Sequence, residues 1–294
     1  MEPLERDAME DIRSAILQRF SCRTYLDEPL ESPIIEALQA LTNSVPAGPF
    51  GGAGRFVLLA ASPGDGRELS SLGTYGFIQG ANAYIGGIIA DGEMCLEDFG
   101  WQMEWLVLRI TAMGLGTCWL GGSFTRSTFA QKMNARIGEV LPAILSVGLM
   151  ADEKAARAGL LRKRISADER LPMSQLFFDS SFGKPLVLDS GEKAEELLRM
   201  VRAGPSASNK QPWRLVREGG NYHLYLQRTK GYSEGIIQRF MGTEDLQRVD
   251  MGIAMCHFEL TARQIGWNGS WKRQDPGLQL PNDLTSYVAS WLPT

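Results

Sequence analysis

The hydrophobic positions along the chain fall into short apolar runs and longer segments with helical spacing. Leu4, Ala8, Ile12 and Ile16 recur every four residues near the start and predict a helix with one apolar face. Several apolar runs are short enough to be strands that helices cover. The pattern predicts an α+β fold with a mostly antiparallel sheet wrapped by helices. The predicted strands are 55–61, 83–90, 144–150, 214–218 and 222–227.

One long helical pattern occurs twice. Segment 98–119 aligns without gaps on segment 250–271, with six identical positions where background composition would give about one or two. Each copy has an aspartate near the helix start, apolar residues at helical spacing and a glycine where the helix should end. We interpret the match as an internal duplication. A repeated helix alone can be purely architectural and indicates nothing about chemistry. The identical pairs are Asp98/Asp250, Gly100/Gly252, Met103/Met255, Leu108/Leu260, Gly114/Gly266 and Trp119/Trp271.

A weaker match precedes each copy of this helix. Segment 46–57, PAGPFGGAGRFV, aligns on 205–216, PSASNKQPWRLV, so that Phe50 stands where the second copy has Asn209. Polar side chains suited to ligand contact are therefore present only in the second copy. A plain turn is the other interpretation, because Pro, Ser and Asn are common turn residues.

A basic cluster near the start shows the opposite loss. Arg19, Ser21 and Arg23 alternate, so in an extended segment their side chains emerge on one face. Two guanidinium groups and a hydroxyl are donors suited to phosphate oxygens, while the alternative is that they solvate a strand edge. The second half has Phe178 and Phe182 at the arginine positions. The complementary losses indicate one site shared by the two halves.

Composition and charge narrow the function classes. The 294 residues are 44% hydrophobic and 22% charged, with a formal net charge of −4, which does not favour general binding to nucleic acid or to an anionic membrane. The acidic start has no apolar signal core, which predicts a cytoplasmic protein. The most apolar run, 105–122, is interrupted by Arg109 and several glycines, so no membrane span is predicted.

The sequence predicts no metal site. Its cysteines form no C-x-x-C pair, and only His223 and His257 could join them. We interpret the thiols as structural groups in a reducing compartment, and a Cys/His nucleophile pair stays open as the alternative. The cysteines are Cys22, Cys95, Cys118 and Cys256.

Together these motifs resemble the FMN-dependent nitroreductase family, and within it the double-length members. In ordinary members the P-S-x-x-N loop soon follows the arginine motif, whereas here it comes in the second half. The resemblance implies a nitroreductase-like fold in two pseudo-symmetric halves, 1–175 and 176–294, which form a pseudo-dimer within one chain. The segments that carry the resemblance are RFSCRTY (19–25), MGLGTCWLGG (113–122), LPAILSVGLM (141–150), RKRIS (162–166) and PSASNKQPW (205–213).

The resemblance also implies one FMN site composed from both halves. One half would bind the phosphate, the loop of the other half would contact the ribityl chain and ring edge, and a glycine-rich segment would bring a backbone N–H close to flavin N5. The alternatives are a solvated charged loop, a plain turn and a strand end. The implied phosphate residues are Arg19, Ser21, Arg23, Arg162 and Arg164; the implied ribityl and ring contacts are Pro205, Ser206, Ser208 and Asn209; the implied ring-lining residues are Leu120, Gly121 and Gly122.

The implied function is that of an FMN-dependent oxidoreductase. Family members take a hydride from NADH or NADPH and then reduce a small electron-poor molecule, such as a nitroarene or quinone, in the same pocket, which predicts ping-pong kinetics. No side chain is assigned as catalytic, because the flavin carries the chemistry. Two alternatives stay open: a flavin enzyme of other chemistry, such as dehalogenation or flavin fragmentation, and a non-catalytic flavin-binding protein.

Overall fold

The computed structural model describes residues 11–60, 77–122, 124–151, 169–189, 191–231 and 244–294. Within these ranges the chain forms two β-sheets separated by a pair of long helices. One long helix packs on the first sheet, the other packs on the second sheet, and the two helices pack on each other. This arrangement confirms the predicted α+β class.

The first sheet is entirely antiparallel. Its strand order is β1–β2–β5–β3, and β4 pairs with β2. Strands β2 and β5 are buried along almost their whole length, which explains why they are continuous apolar runs without alternation. The three strands predicted for this part of the chain are confirmed. The strands are β1 (Arg55–Ala60), β2 (Ala83–Ala90), β3 (Gly116–Leu120), β4 (Glu139–Val140) and β5 (Ile144–Gly148).

The second sheet has the order β6–β7–β8–β10–β9, with one parallel pair, β6 and β7. Both strands predicted here are confirmed as β7 and β8. The sequence pattern did not predict β9 or β10, because the register of β10 shifts between Tyr287 and Ala289 and interrupts the alternation. The strands are β6 (Phe177–Asp179), β7 (Trp213–Glu218), β8 (Asn221–Gln227), β9 (Gly269–Lys272) and β10 (Thr285–Pro293).

The two long helices end as the sequence predicts. Gly114 and Gly266 follow them with φ of +79° and +80°, a conformation that glycine adopts without a Cβ penalty. None of the helices in the described ranges has the length and apolarity needed to cross a bilayer. The helices are α1 (Ile12–Gln18), α2 (Ser32–Asn43), α3 (Cys95–Ala112), α4 (Arg126–Lys132), α5 (Met173–Leu176), α6 (Lys193–Ala203) and α7 (Leu246–Gln264).

The α1 helix packs away from the first sheet. Ile12 and Ile16 are buried in the same apolar cluster as Leu197 and Val201 of α6. They belong to the predicted apolar stripe, whose other members, residues 4 and 8, lie outside the described ranges. This packing fixes the direction in which the chain leaves α1.

The helices α3 and α7 cross at a pair of glycines that the repeat aligns with each other. A Cβ on Gly100 would lie 2.1 Å from the carbonyl oxygen of Val249, and a Cβ on Gly252 would lie 2.0 Å from that of Glu97. No side chain fits at these distances. The two glycines therefore permit backbone contact between the helices.

We expect Gly252→Ala to lower the free energy of unfolding by about 2 to 3 kcal/mol, because α3 and α7 must separate to admit the methyl group. Gly92→Ala is the matched control, since a Cβ at Gly92 meets no atom within 4 Å. Urea unfolding of both variants measures the difference. Equal stability of the two variants would show that the crossing can adjust without cost.

Candidate functional site

A cavity of about 630 Å³ is lined by residues that are distant from one another in the sequence. Its walls come from the end of α1, the end of β3, the loop between α6 and β7, and the start of α7. Of the predicted contact residues, two, Arg162 and Arg164, lie outside the described ranges. The other ten all line this cavity: Arg19, Ser21, Arg23, Leu120, Gly121, Gly122, Pro205, Ser206, Ser208 and Asn209.

The segment after α1 forms the basic wall of the cavity. Ser21 forms a bridge with Thr117 of β3, and the Cys22 N–H donates to the Thr117 carbonyl oxygen at 2.8 Å. The extended backbone buries Cys22 on the side away from the cavity. Arg19, Ser21 and Arg23 consequently all reach the cavity, as their alternation predicts.

Arg19 lies next to a buried polar network. The Arg19 Nε atom is 3.9 Å from Oε1 of Glu104 on α3. The same carboxyl accepts a hydrogen bond from Trp119 Nε1 at 2.8 Å, and its Oε1 is 2.9 Å from Nε2 of His257 on α7. His257 Nδ1 is 2.8 Å from the carbonyl oxygen of Met200, so Nδ1 carries a proton and donates it. The network links both central helices to the cavity wall.

The loop between α6 and β7 has an unusual backbone. Ser208, Asn209 and Gln211 have φ of 50°, 54° and 48°, in the left-handed region that costs a residue with a Cβ on the order of 1 kcal/mol or more. Ser206 Oγ accepts a hydrogen bond from the Gln211 N–H at 2.8 Å. Strain of this kind is retained only where the surroundings hold it, and here it places several polar groups at the cavity.

The buried side chain of Gln211 stabilises this loop. Its side chain is buried, with 3% exposed, and its Oε1 accepts a hydrogen bond from the Leu171 N–H at 3.0 Å. Asn209 Nδ2 donates to the carbonyl oxygen of Glu169 at 2.9 Å, and Arg170 Nη1 donates to Asn209 Oδ1 at 3.2 Å. Residues 169–171 therefore fix the amide-rich loop, a partner that the sequence did not predict.

The glycines after β3 have two different roles. A Cβ on Gly121 would lie 2.6 Å from the Leu246 side chain, so glycine there lets the start of α7 approach. A Cβ on Gly122 would meet no atom within 4 Å, so its backbone borders open space at the cavity. Arg126 Nη2 donates to the Gly121 carbonyl oxygen at 2.8 Å and fixes this turn.

The aligned aspartates of the repeat hold the aligned loops. Asp98 accepts hydrogen bonds from the Phe50 and Gly52 N–H groups at 2.9 and 2.7 Å, and burial raises the pKa of Asp98 to about 6. Asp250 accepts from the Ala207 N–H at 2.9 Å with Oδ1. Its Oδ2 atom has no hydrogen-bond partner among the described residues, and complete burial raises the pKa of Asp250 well above its usual range. Asp250 lines the cavity.

Sequence reasoning missed three basic residues that line the cavity, Arg170, Arg199 and Arg202. The two on α6 are three positions apart and so share a helix face, a signal that the sequence contains. Arg170 follows the segment outside the described ranges, and no local pattern marks it. Within the described part of the chain, five arginines and one aspartate are the charged types that line the cavity.

The thiols are structural groups. All four cysteines are free and buried, and desolvation raises the pKa of Cys22 to about 11 and that of Cys256 well above its usual range. His257 is engaged by Glu104 and Met200, which leaves it unsuited to activate a thiol. The described residues contain no group of three or more His, Cys, Asp or Glu side chains that could hold a metal ion.

The fold and the cavity together define the class of protein. It is an α+β protein in which a basic segment and a strained polar loop, distant in sequence, line one cavity. A family model described as "Putative TM nitroreductase" matches residues 11–262. The chain belongs to this nitroreductase family, which is a family of oxidoreductases, and the predicted resemblance is confirmed.

Several solved structures are similar to the chain. A "putative nitroreductase" from Thermotoga maritima MSB8 is 19% identical with a TM-score of 0.55, covering 95% of this chain and 91% of that chain. An oxidoreductase containing FMN is 18% identical with a TM-score of 0.47, covering 58% and 92%. A "putative nitroreductase" from Desulfovibrio desulfuricans, solved in complex with FMN, is 21% identical with a TM-score of 0.38, covering 48% of this chain and 87% of that chain. The first comparison establishes the shared fold, and no curated protein matches the chain.

Proposed function

We propose that the cavity binds one FMN per chain and that the protein is an FMN-dependent NAD(P)H oxidoreductase, reducing nitroaromatic or quinone-like small molecules. The observation that carries the proposal is the meeting of two motifs. Arg19, Ser21 and Arg23 line the same cavity as Ser208 and Asn209, although the sequence separates the two groups by most of its length.

The residues present fit FMN. The cavity volume of about 630 Å³ lies within the range of small-molecule sites. Arg19 and Arg23 supply forked donors for a phosphate, and the polar loop supplies groups for a polyhydroxylated chain. The backbone at Gly122 borders open space, where a flat ring can approach closely. Asp250 presents a buried oxygen that lacks a partner within the described residues.

Each wall has a separate role in this proposal. Arg19, Ser21 and Arg23 hold the phosphate, and Arg162 and Arg164, outside the described ranges, assist them. Pro205, Ser206, Ser208 and Asn209 orient the ribityl chain and ring edge, and Leu120, Gly121 and Gly122 line the ring. When bound, FMN supplies the ring that accepts and returns a hydride.

The electron donor and the acceptor use the same space in turn, so the protein positions both ligands and excludes water. We assign no side chain as a catalytic acid or base. Ping-pong kinetics follow from this use of one space. The proposal includes a cytoplasmic location, which four free thiols fit.

The proposal also includes a duplication, with halves at 1–175 and 176–294 that form a pseudo-dimer. Contact between the aligned glycines at the crossing of α3 and α7 supports it, because a two-fold axis brings equivalent residues together. The aligned aspartates hold aligned loops, which supports it independently. Only one of the two equivalent sites retains both the basic segment and the polar loop.

The test begins with the purified chain. We expect denaturation to release FMN, identified by mass, at one molecule per chain, and we expect the holoprotein to oxidise NADH or NADPH when a nitroarene or quinone is present. A colourless protein that refuses added FMN would refute the cofactor assignment. Tight FMN binding without oxidation of either nucleotide by any acceptor would refute the enzymatic part and favour a non-catalytic flavin-binding protein.

A further inference from the structure

The two aligned aspartates differ in how many of their oxygens the chain uses. Asp98 uses both, because Oδ1 accepts from the Phe50 N–H at 2.9 Å and Oδ2 accepts from the Gly52 N–H at 2.7 Å. Asp250 uses one, because Oδ1 accepts from the Ala207 N–H at 2.9 Å while Oδ2 has no hydrogen-bond partner among the described residues. One oxygen of Asp250 therefore lacks the kind of partner that its counterpart has.

Ser206 accounts for this difference. The N–H groups at the two corresponding positions of the second loop, Asn209 and Gln211, both donate to Ser206. Asn209 donates to the Ser206 carbonyl oxygen at 2.9 Å, and Gln211 donates to Ser206 Oγ at 2.8 Å. The first loop has Ala47 at the position of Ser206 and so has no hydroxyl to offer. The second loop is thus held without the Oδ2 atom of Asp250.

The unused oxygen belongs to a buried side chain at the cavity. Asp250 is only 3% exposed, and it lines the cavity, whereas Asp98 is not among the lining residues. Burial raises the pKa of Asp250 well above its usual range, as expected for a carboxyl group that is desolvated with few hydrogen bonds. A buried polar atom without a partner is rare in folded proteins and marks a place where another molecule completes the bonding. The cavity is the place from which that partner can come.

The position of the carboxyl group indicates which part of a ligand it meets. The bond from the Ala207 N–H holds it beside the loop between α6 and β7, the wall that the proposed function assigns to the ribityl chain. A hydroxyl group both donates and accepts, so it can pair with Oδ2 whether or not the carboxyl carries a proton. A phosphate offers acceptor oxygens and is met by Arg19 and Arg23 in the same proposal. A hydroxyl of the chain fits this oxygen best.

We infer that Asp250 is a positioning residue for the cofactor and that its Oδ2 atom pairs with a hydroxyl group of the ribityl chain. The inference rests on the proposed function and adds to it a residue that selects the ligand. The bond holds the chain between the phosphate and the ring. The cavity consequently prefers a flavin with a polyhydroxylated chain over a flavin with a plain alkyl chain.

The first part of the test measures FMN affinity by titration of three variants in flavin-free form. We expect Asp250→Ala to weaken FMN binding roughly tenfold, because it removes the partner of a buried hydroxyl. Asp250→Asn should change the affinity by about twofold or less, since the amide keeps an acceptor for the Ala207 N–H and a donor for the hydroxyl. Asp98→Ala is the matched control: it loses two backbone hydrogen bonds at the aligned position, so it should unfold at lower urea yet bind FMN normally.

The second part repeats the titrations with a flavin phosphate whose ribityl chain is replaced by an alkyl chain of the same length. The unaltered protein should prefer FMN to this analogue, and Asp250→Ala should reduce that preference roughly tenfold. A looser loop would weaken both flavins equally, so the change in preference separates a direct contact from support of the loop.

An unchanged preference in Asp250→Ala would overturn the inference, as would an equal loss of FMN affinity in Asp98→Ala. Either result leaves the proposed function intact, because FMN is still bound by the unaltered protein. Failure of the unaltered protein to bind FMN would refute the proposed function, and this inference with it.

Discussion

Replacing Arg23 with glutamate is expected to weaken FMN binding by about a hundredfold or more. The change removes a charge-assisted hydrogen bond and places a like charge beside the phosphate, and losses of about 3 kcal/mol are typical when such a contact is reversed. Arg23 is partly exposed at the cavity and takes no part in the buried Glu104 network, so the fold should persist. Titration of FMN into the refolded or apo protein measures the affinity.

The same experiment with Asn209 tests whether the proposed second half contributes to the site. Asn209→Gly removes the amide yet keeps a residue that adopts φ of 54° without strain, so it is a cleaner variant than alanine. We expect FMN affinity to fall about tenfold, the value for one lost hydrogen bond together with a looser loop. Asn209→Asp is a second variant, because it keeps the oxygen that Arg170 contacts at 3.2 Å.

These variants lie in the two halves that we propose and are expected to affect one binding equilibrium. If Asn209→Gly bound FMN as well as the unaltered protein while Arg23→Glu did not, the second half would be a scaffold and the composite site would be wrong. If both variants bound normally, the phosphate would lie elsewhere in the cavity. Circular dichroism of each variant separates loss of binding from loss of structure.

Glu104→Gln is expected to lower the free energy of unfolding by about 3 kcal/mol. The Glu104 side chain is completely buried, beside His257 and 3.9 Å from Arg19. Removing its charge takes away the carboxylate that lies 3.9 Å from the Arg19 Nε atom in a low-dielectric site, where only 6% of the Arg19 side chain is exposed. The expected loss is larger than the net benefit of a surface ion pair, because water cannot replace the carboxylate there.

The chain offers a matched control on the same helix. Glu97 also joins α3 to α7, through Arg248, at 2.7 and 2.6 Å, but the Arg248 side chain is 28% exposed. Because water can solvate Arg248 when its partner is lost, we expect Glu97→Gln to cost only about 1 kcal/mol. Urea unfolding of both variants measures the difference. Equal losses of unfolding free energy would show that the burial of Arg19 does not make its contact with Glu104 more important than an exposed ion pair.

The local pattern predicted the elements well where burial is uniform. Strands β1, β2, β5, β7 and β8 lie where apolar runs predict them, since such runs need only a cover of helices to be stable. The central helices have Asp98 and Asp250 within their first two turns and end before Gly114 and Gly266, because left-handed glycines are properties of a few neighbouring residues. β10 was missed because its register shift is imposed by its neighbours in the sheet.

In the candidate site, too, some features follow from the local sequence and others only from the fold. The alternation of Arg19, Ser21 and Arg23 was sufficient to predict one shared face, and the cavity contains all three. Gln211 belongs to the same polar segment as Asn209, yet the fold buries it against Leu171 as a support for the loop. A motif identifies polar side chains. Which of them face a ligand depends on which ones the rest of the chain packs against.

By itself the sequence determined the first helix, the two central helices, five of the ten strands that the structure describes, the repeat and ten of the residues that line the cavity, because periodicity and short motifs are local properties. Only the tertiary structure decided that Glu104 meets His257, 153 residues away, and that Glu97 pairs with Arg248, 151 residues away. These contacts depend on the crossing of α3 and α7. That crossing is set by backbone contact at Gly100 and Gly252, which no local pattern encodes.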